Sequence, residues 1–374
     1  MRFTWLICAL LCVATVTAQQ SDPMIERARR LLREVPVFDG HNDYPWQIRE
    51  LAKGDIAQFP LTTPQPKLHT DFARLAQGGV GAQFWSVYVP STLPGPTATL
   101  ATLEQIDTVH RMIAAWPQRL ELALSAADVE RIQKAGKIAS LIGMEGGHSI
   151  GNSIGALRMM YRLGARYMTL THNNHTPWAD SAAMAPEHNG LTPFGEEIVR
   201  EMNRLGMIVD LSHVSPETMA DALRVTTAPV MFSHAAAKAI TNVSRNVPDD
   251  ILRQLKANRG IIMVTFVPGF VSQEVADFNA LPADQRAGKE VPRATLIQVA
   301  DHIDHIREVA GIDAIGLGGD FDGITQVVMG LEDTSTYPDL LAELLRRGYS
   351  DEDIRKIAGR NMLRVLREAE RTTR

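Results

Sequence analysis

Short apolar runs separated by amphipathic stretches alternate along most of this 374-residue chain. Eight of them read as strands: residues 35–38, 80–89, 138–144, 166–171, 207–211, 230–232, 260–266 and 315–319. Each is brief and nearly continuous in apolar residues, the pattern of strands covered on both faces. Helical patterns with recognisable starts and stops lie between them. One spans 103–116 and stops before Pro117, another spans 194–205 and stops before Gly206, and a third spans 216–224 behind Ser215 as N-cap. Pro248-Asp249-Asp250 opens a further helix with proline and acids in its first turn, and 292–310 runs to Gly311. Alternation over eight units, with no linker-like break in composition, predicts one α/β domain over 19–374, folded as a (β/α)8 TIM-like barrel. Two stretches, 44–79 and 267–291, exceed ordinary connections and are expected either to cover a site or to be disordered insertions.

What stands just beyond the runs changes the picture from fold to chemistry. His41 and Asp43 follow the first run, Glu145 the third, His213 the fifth, His234 the sixth and Asp320 the eighth. A parallel barrel gathers the C-terminal ends of its strands at one mouth, so these metal-ligating and acid–base side chains converge there, which points to a metal-dependent enzyme. His41-Asn42-Asp43 puts two ligand types on the same side of an extended strand end. Glu145 is followed by Gly146 and Gly147, which let the backbone turn away beneath it. Either histidine of Ser212-His213 and Ser233-His234 would pass alone for a core residue. The same ending on consecutive strands, which are usually sheet neighbours, favours ligation.

Other histidines carry less. His69-Thr70-Asp71 repeats the His-x-Asp spacing but precedes its strand, so it is assigned to a loop network. His302 and His305 have metal-like spacing on a helix and are expected to face solvent or to pack on the barrel's exterior. His148, His175 and His188 are placed near the mouth as support or cover, and Trp85, Trp178 and Tyr88 as core or wall.

Composition, 45% hydrophobic and 22% charged, is that of a globular protein. A net charge of −5, with no basic stripe interleaved with aromatics, excludes nucleic acid as the expected partner. Residues 1–18 carry one charge, Arg2, then an apolar stretch and small residues up to Ala18, a secretory signal expected to be cleaved there. The mature chain is thus expected to be exported, periplasmic or secreted. The apolar stretch is shorter than the ~20 residues of a spanning helix, so no stable membrane anchor is expected. Both cysteines, Cys8 and Cys12, fall inside the signal, which leaves the mature chain without a disulfide.

A longer set of motifs links these positions. Asp39-Gly40-His41-Asn42-Asp43, Glu145-Gly146-Gly147-His148-Ser149, Leu170-Thr171-His172 with Thr176-Pro177-Trp178-Ala179-Asp180, Asp210-Leu211-Ser212-His213, Ser233-His234, Arg245-Asn246-Val247-Pro248-Asp249-Asp250 and Gly319-Asp320-Phe321-Asp322-Gly323 follow in that order. Together they resemble the membrane dipeptidase (renal dipeptidase) family of zinc dipeptidases. The resemblance implies two Zn2+ per chain: His41 and Asp43 on one ion, His213 and His234 on the other, Glu145 bridging. It further implies that His172 contacts the substrate near the scissile carbonyl, that Arg245 binds its carboxylate, and that Asp320 is the acid–base group.

The implied reaction is hydrolysis of dipeptides by a hydroxide held between two ions about 3.5–4 Å apart, with acceptance of D-residues at the C-terminal position left open. Asp322 is the rival of Asp320, which is preferred because it stands nearer the strand end. Two departures from the family stand out: Ala235 where many members have serine, and Asn174 where mammalian members have a cysteine. The alternatives are another metallohydrolase on this fold, of deaminase, lactonase or β-lactam-opening type, and a non-catalytic barrel binding protein. Many such hydrolases open with His-x-His and a modified lysine, whereas this chain has His-x-Asp and Glu145; a binding protein would have lost ligands, and none of this set is missing. Side-chain preference and oligomeric state, a homodimer included, stay open at this level.

Overall fold

The computed structural model describes residues 22–372, so the leader read at 1–18 lies outside the described residues. The eight expected runs are all strands, and a ninth is present. These are β1 (Val37–Asn42), β2 (Val80–Ser86), β3 (Leu120–Leu122), β4 (Ile138–Met144), β5 (Ala165–Thr169), β6 (Ile208–Asp210), β7 (Met231–Ala235), β8 (Ile261–Val264) and β9 (Ile315–Leu317). All pair in parallel in the order β2-β1-β9-β8-β7-β6-β5-β4, and β2 pairs with β4 to close the ring, so eight strands make a (β/α)8 barrel. The additional β3 pairs with Ile138–Ser140 of β4, while β5 pairs with Ile142–Met144. It fills the lower part of an edge that β5 joins higher up, and Leu120-Glu121-Leu122 is too brief for its pattern to announce a strand.

The helix read from 103 begins at Gly95, about two turns earlier, because Pro96 sits in its first turn, where a missing N–H costs nothing. The helix read from Pro292 begins instead at Leu296, where Thr295 and Gln298 close a capping box. Neither long stretch is a disordered insertion. The first contains the helices Tyr44–Ala52 and Phe72–Gln77, the second the short helices Pro268–Val271, Gln273–Ala280 and Ala283–Arg286.

Two features of the barrel set up its mouth. Below, Phe38, Phe84, Leu141, Tyr167, Met231 and Met263 form one buried cluster with Met362, Val365, Leu366 and Ala369, so the helix Asn361–Arg371 plugs the barrel floor. Above, β1 and β7 each carry an extra residue: Asp39 to Asn42 opposes Gln83 to Trp85, and Phe232 to Ala235 opposes Ile262 to Val264. Such bulges break the in-out alternation and re-aim side chains. They bring the rings of His41 and His234 to a centroid distance of 4.0 Å.

The approach depends on Gly40 and Gly318. A Cβ on Gly40 would lie 2.6 Å from the Ser233 carbonyl oxygen, and one on Gly318 only 2.0 Å from it. The bulge of β7 therefore leans on two positions that have no side chain. Gly318→Ala is expected to destabilise the fold by about 1–3 kcal/mol through overpacking, seen as a lower thermal midpoint. An unchanged midpoint would show that β7 is free to retreat.

Candidate metal centre

The barrel brings the six residues picked out at strand ends into one cluster. Nε2 of His41 lies 3.1 Å from Oδ2 of Asp43, 3.6 Å from Oε2 of Glu145 and 3.9 Å from Oδ1 of Asp320. The other oxygen of Glu145, Oε1, lies 3.0 Å from Nε2 of His213, 3.5 Å from that of His234 and 3.6 Å from that of His172. The Nε2 atoms of His213 and His234 are 2.9 Å apart. Glu145 thus turns one oxygen toward each of two donor sets.

Second partners fix two of the imidazoles with their Nε2 lone pairs inward. The Tyr167 hydroxyl is 3.4 Å from the Gly40 carbonyl and 2.9 Å from Nδ1 of His41, so it can donate to the first and accept Nδ1–H from the second. Ser233 Oγ donates to Asp210 and lies 2.9 Å from Nδ1 of His234, which leaves Nδ1 as the donor there. Ligand atoms around a tetrahedral ion with bonds of ~2.0–2.1 Å sit roughly 3.3 Å apart. The 3.0 to 3.6 Å spacings around Glu145, with the 2.9 Å between His213 and His234, bracket that value. Oδ1 of Asp43 is buried with no hydrogen-bond partner among the described residues. A metal ion fits this donor set.

Electrostatics agree. Burial holds both His213 and His234 well below the ordinary histidine range, helped by Arg245 and His172 at His213 and by His41 and Arg245 at His234, which keeps them neutral. Burial opposes ionisation of Glu145, but His41, His172 and the hydrogen bond from His213 outweigh it and hold its carboxyl well below the usual range. Asp320 goes the other way. Burial and the like charges of Asp43 and Glu145 raise it well above the usual carboxylate range, against the pull of His41 and Arg245. His213 and Asp320 also have φ of +67° and +59°, the left-handed region that side chains usually avoid, at an ordinary cost of about 1–3 kcal/mol each. Gly323 must remain bare, because a Cβ there would lie 2.2 Å from Oδ2 of Asp43 and 2.7 Å from Oδ1 of Asp320.

A cavity of about 410 Å³ opens over the cluster. His172 lines it, and Trp46, Tyr88, Val267, Phe270 and Ile324 supply apolar wall. Arg245 is buried close by: Nη2 donates to the His234 carbonyl at 3.2 Å, and its guanidinium lies 5.4 Å from the Phe270 ring centroid. Nε and Nη1 have no partner among the described residues. Burial pushes the Arg245 guanidinium down to about 10, against Asp320, Glu145 and Asp210.

Asp322, the rival of Asp320, is elsewhere: its Oδ1 accepts the backbone N–H of His69, and its own N–H donates to His69 Nδ1. That network absorbs His69, while Thr70 accepts from Asn42 and Asp71 caps the helix Phe72–Gln77. Of the two places expected for His302, facing solvent or packing on the barrel's exterior, it takes the second. It is fully buried under the barrel's helical layer, where Nδ1 accepts from the Ala237 N–H, and His305 pairs with Asp249. His148, His175 and His188 bind the carbonyls of Val89, Ala185 and Thr176, so they brace loops without lining the cavity. Trp85 and Trp178 are core, and Tyr88 is wall. Sequence reasoning missed Trp46, Val267, Phe270 and Ile324. Only the nearness of Trp46 to Asp43, and the length of the loop carrying Phe270, gave any signal.

A parallel barrel with two buried His/carboxylate donor sets at its C-terminal mouth defines a metallohydrolase arrangement. A profile of the membrane dipeptidase family (peptidase family M19) matches residues 25–374, and the chain belongs to that family, one of metal-dependent peptide hydrolases. Among solved structures, the probable dipeptidase PvdM from Pseudomonas aeruginosa shares the fold at 23% identity, with 94% of this chain and 99% of that one covered and a TM-score of 0.83. A metallopeptidase from Rhodobacter sphaeroides, liganded with a phosphinate mimic of the dipeptide L-Ala-D-Ala, is 26% identical over 90% of this chain and 99% of its own, with a TM-score of 0.78. The metallopeptidase dipeptidase AC, of family M19, is 27% identical over 90% and 98%, with a TM-score of 0.78.

Glu145→Ala removes the one carboxylate common to both donor sets. The expected outcome is loss of paired metal binding by elemental analysis of the purified protein; two tightly held ions in that variant would exclude a bridging role.

Proposed function

We propose that this protein is a dizinc dipeptidase acting on free dipeptides. His41 and Asp43 would hold one ion, His213 and His234 the other, and Glu145 both. The observation that carries the reading is Arg245: a buried guanidinium with two nitrogens lacking partners among the described residues, packed on His234 and Phe270, which both line the cavity over the donor cluster. A buried donor left unmade costs free energy, and a substrate carboxylate can satisfy two at once in a fork. Such a grip measures the distance from a terminal carboxylate to the reacting centre, which selects dipeptides by length. Bound zinc would supply Lewis acidity toward the carbonyl and a lower proton affinity for the attacking water.

The chain's own groups do the rest. Asp320 lines the cavity 3.9 Å from the His41 nitrogen; burial and crowding make it hold its proton, bound cations would ease its release, and the carboxylate so formed can take a proton from the attacking water and return it to the leaving amine. His172, beside Tyr88 and His213, lines the cavity where it can orient the scissile carbonyl. Acceptance of D-residues at the C-terminal position is supported by the L-Ala-D-Ala mimic in the Rhodobacter sphaeroides neighbour. Export is supported by the leader at residues 1–18, and among the described residues no helix is long and apolar enough to cross a membrane.

Two variants test the assignment by steady-state kinetics on a dipeptide panel. Arg245→Ala is expected to keep its metal and to lose ~1.5–3 kcal/mol of carboxylate binding, read mainly in KM. Equal wild-type rates on a dipeptide and its C-terminal amide would contradict the carboxylate grip. Asp320→Asn is expected to bind metal and substrate while turnover falls ~100- to 10,000-fold. An undiminished chemical step in single-turnover experiments would reject the proton relay.

A further inference from the structure

We propose that Asp210 and Ser233 are positioning residues that act through His234 to set the metal affinity of one half of the centre. The proposal rests on the two-ion reading above. Asp210 is fully buried at the end of β6 and has no ion pair among the described residues. Four donors converge on its carboxylate instead. Oδ1 accepts the backbone N–H groups of Ser212 at 3.1 Å and Ser233 at 2.8 Å, and Oδ2 accepts the hydroxyls of Thr169 at 2.5 Å and Ser233 at 2.6 Å. The single hydroxyl proton of Ser233 is thereby committed to Asp210, so the 2.9 Å contact between Ser233 Oγ and Nδ1 of His234 is donated by the imidazole. A carboxylate–hydroxyl–imidazole chain results, ending in the Nε2 lone pair that faces His213 and Glu145.

The two halves of the centre differ in this respect. Nδ1 of His41 is backed by the neutral Tyr167 hydroxyl, but that half also contains the Asp43 carboxylate. The other half has two imidazoles, and Nδ1 of His213 has no partner among the described residues. A carboxylate relayed through Ser233 raises the basicity of His234 and fixes its tautomer, supplying there what Asp43 supplies directly on the opposite side. The main chain is tied into the same network: Ser212 Oγ accepts the His234 N–H at 3.1 Å.

The test is a competition titration of zinc against a chromophoric chelator, resolving both binding steps, for wild type, Ser233→Ala and Thr169→Val. Thermal melting of each metal-free protein is measured alongside. Ser233→Ala is expected to weaken one ion ~10- to 100-fold, leave the other unchanged and lower the metal-free midpoint no more than Thr169→Val, which takes a donor from the same Asp210 oxygen. Thr169→Val removes a donor to the same Asp210 oxygen without touching His234 and is expected to retain both affinities. Equal weakening of both ions, no weakening, or an equal effect from Thr169→Val would overturn the relay. If Ser233→Ala does not fold, 15N NMR of histidine-labelled, zinc-loaded wild type decides. A His234 ring protonated at Nδ1 and metal-bound at Nε2 supports the relay; the reverse tautomer overturns it. Wild type that binds no zinc removes the two-ion reading, whereas two ions without selective loss remove the relay alone.

Discussion

Crowding of like charge at the barrel mouth is the constraint on which the rest of this structure depends. Asp43, Glu145 and Asp320 are gathered within reach of one imidazole nitrogen, and the neighbouring histidines His213 and His234 are held neutral. Arg245 is the guanidinium close by, itself weakened by burial. Buried charge costs several kcal/mol per ion, and in this cluster it is offset by Asp320 keeping its proton and by His41, which against burial is pushed well above the ordinary histidine range by Tyr167, Asp43 and Glu145. Bound cations turn the same arrangement into a source of folding free energy. Crowding also explains why Asp320 differs chemically from Glu145: neighbours that favour a cation make its own ionisation difficult.

The scaffold meets that constraint with devices that each cost something locally. Bulges in β1 and β7 give up regular pairing to turn His41 and His234 inward. His213 and Asp320 hold left-handed backbone, and Gly40 and Gly318 forgo side chains so that Ser233 can close on the opposite wall. A floor sealed by the helix Asn361–Arg371 and a ring of eight strands over-determine these positions, which is how isolated strain persists.

Much of this was legible in the sequence because a parallel barrel converts the order of strand ends into proximity. His41, Asp43, Glu145, His213, His234 and Asp320 each follow an apolar run, and the topology leaves them nowhere else to meet. The remainder was hidden for physical reasons. Whether Asp320 or Asp322 faced the cavity turned on left-handed backbone at both residues and on a loop partner, His69, that lies far away in sequence. His302 has the spacing of a ligand and the burial of a packing residue, and spacing alone does not separate them. Asp210 looked like an ordinary strand residue, since its four donors come from three different strands and loops. Wall residues such as Phe270 and Ile324 lie on segments without periodicity, where no pattern points inward.

The origin of those wall residues has a consequence for how such an enzyme can diversify. The donors stand on strands or within a few residues of strand ends, tied to the sheet by hydrogen bonds. Trp46, Val267, Phe270 and Ile324 stand on the connecting segments above it. Inheritance can therefore edit the two independently. Loop substitutions reshape what the cavity admits while the reacting centre keeps its geometry, and descendants of one barrel can explore new substrates without first passing through an inactive ancestor.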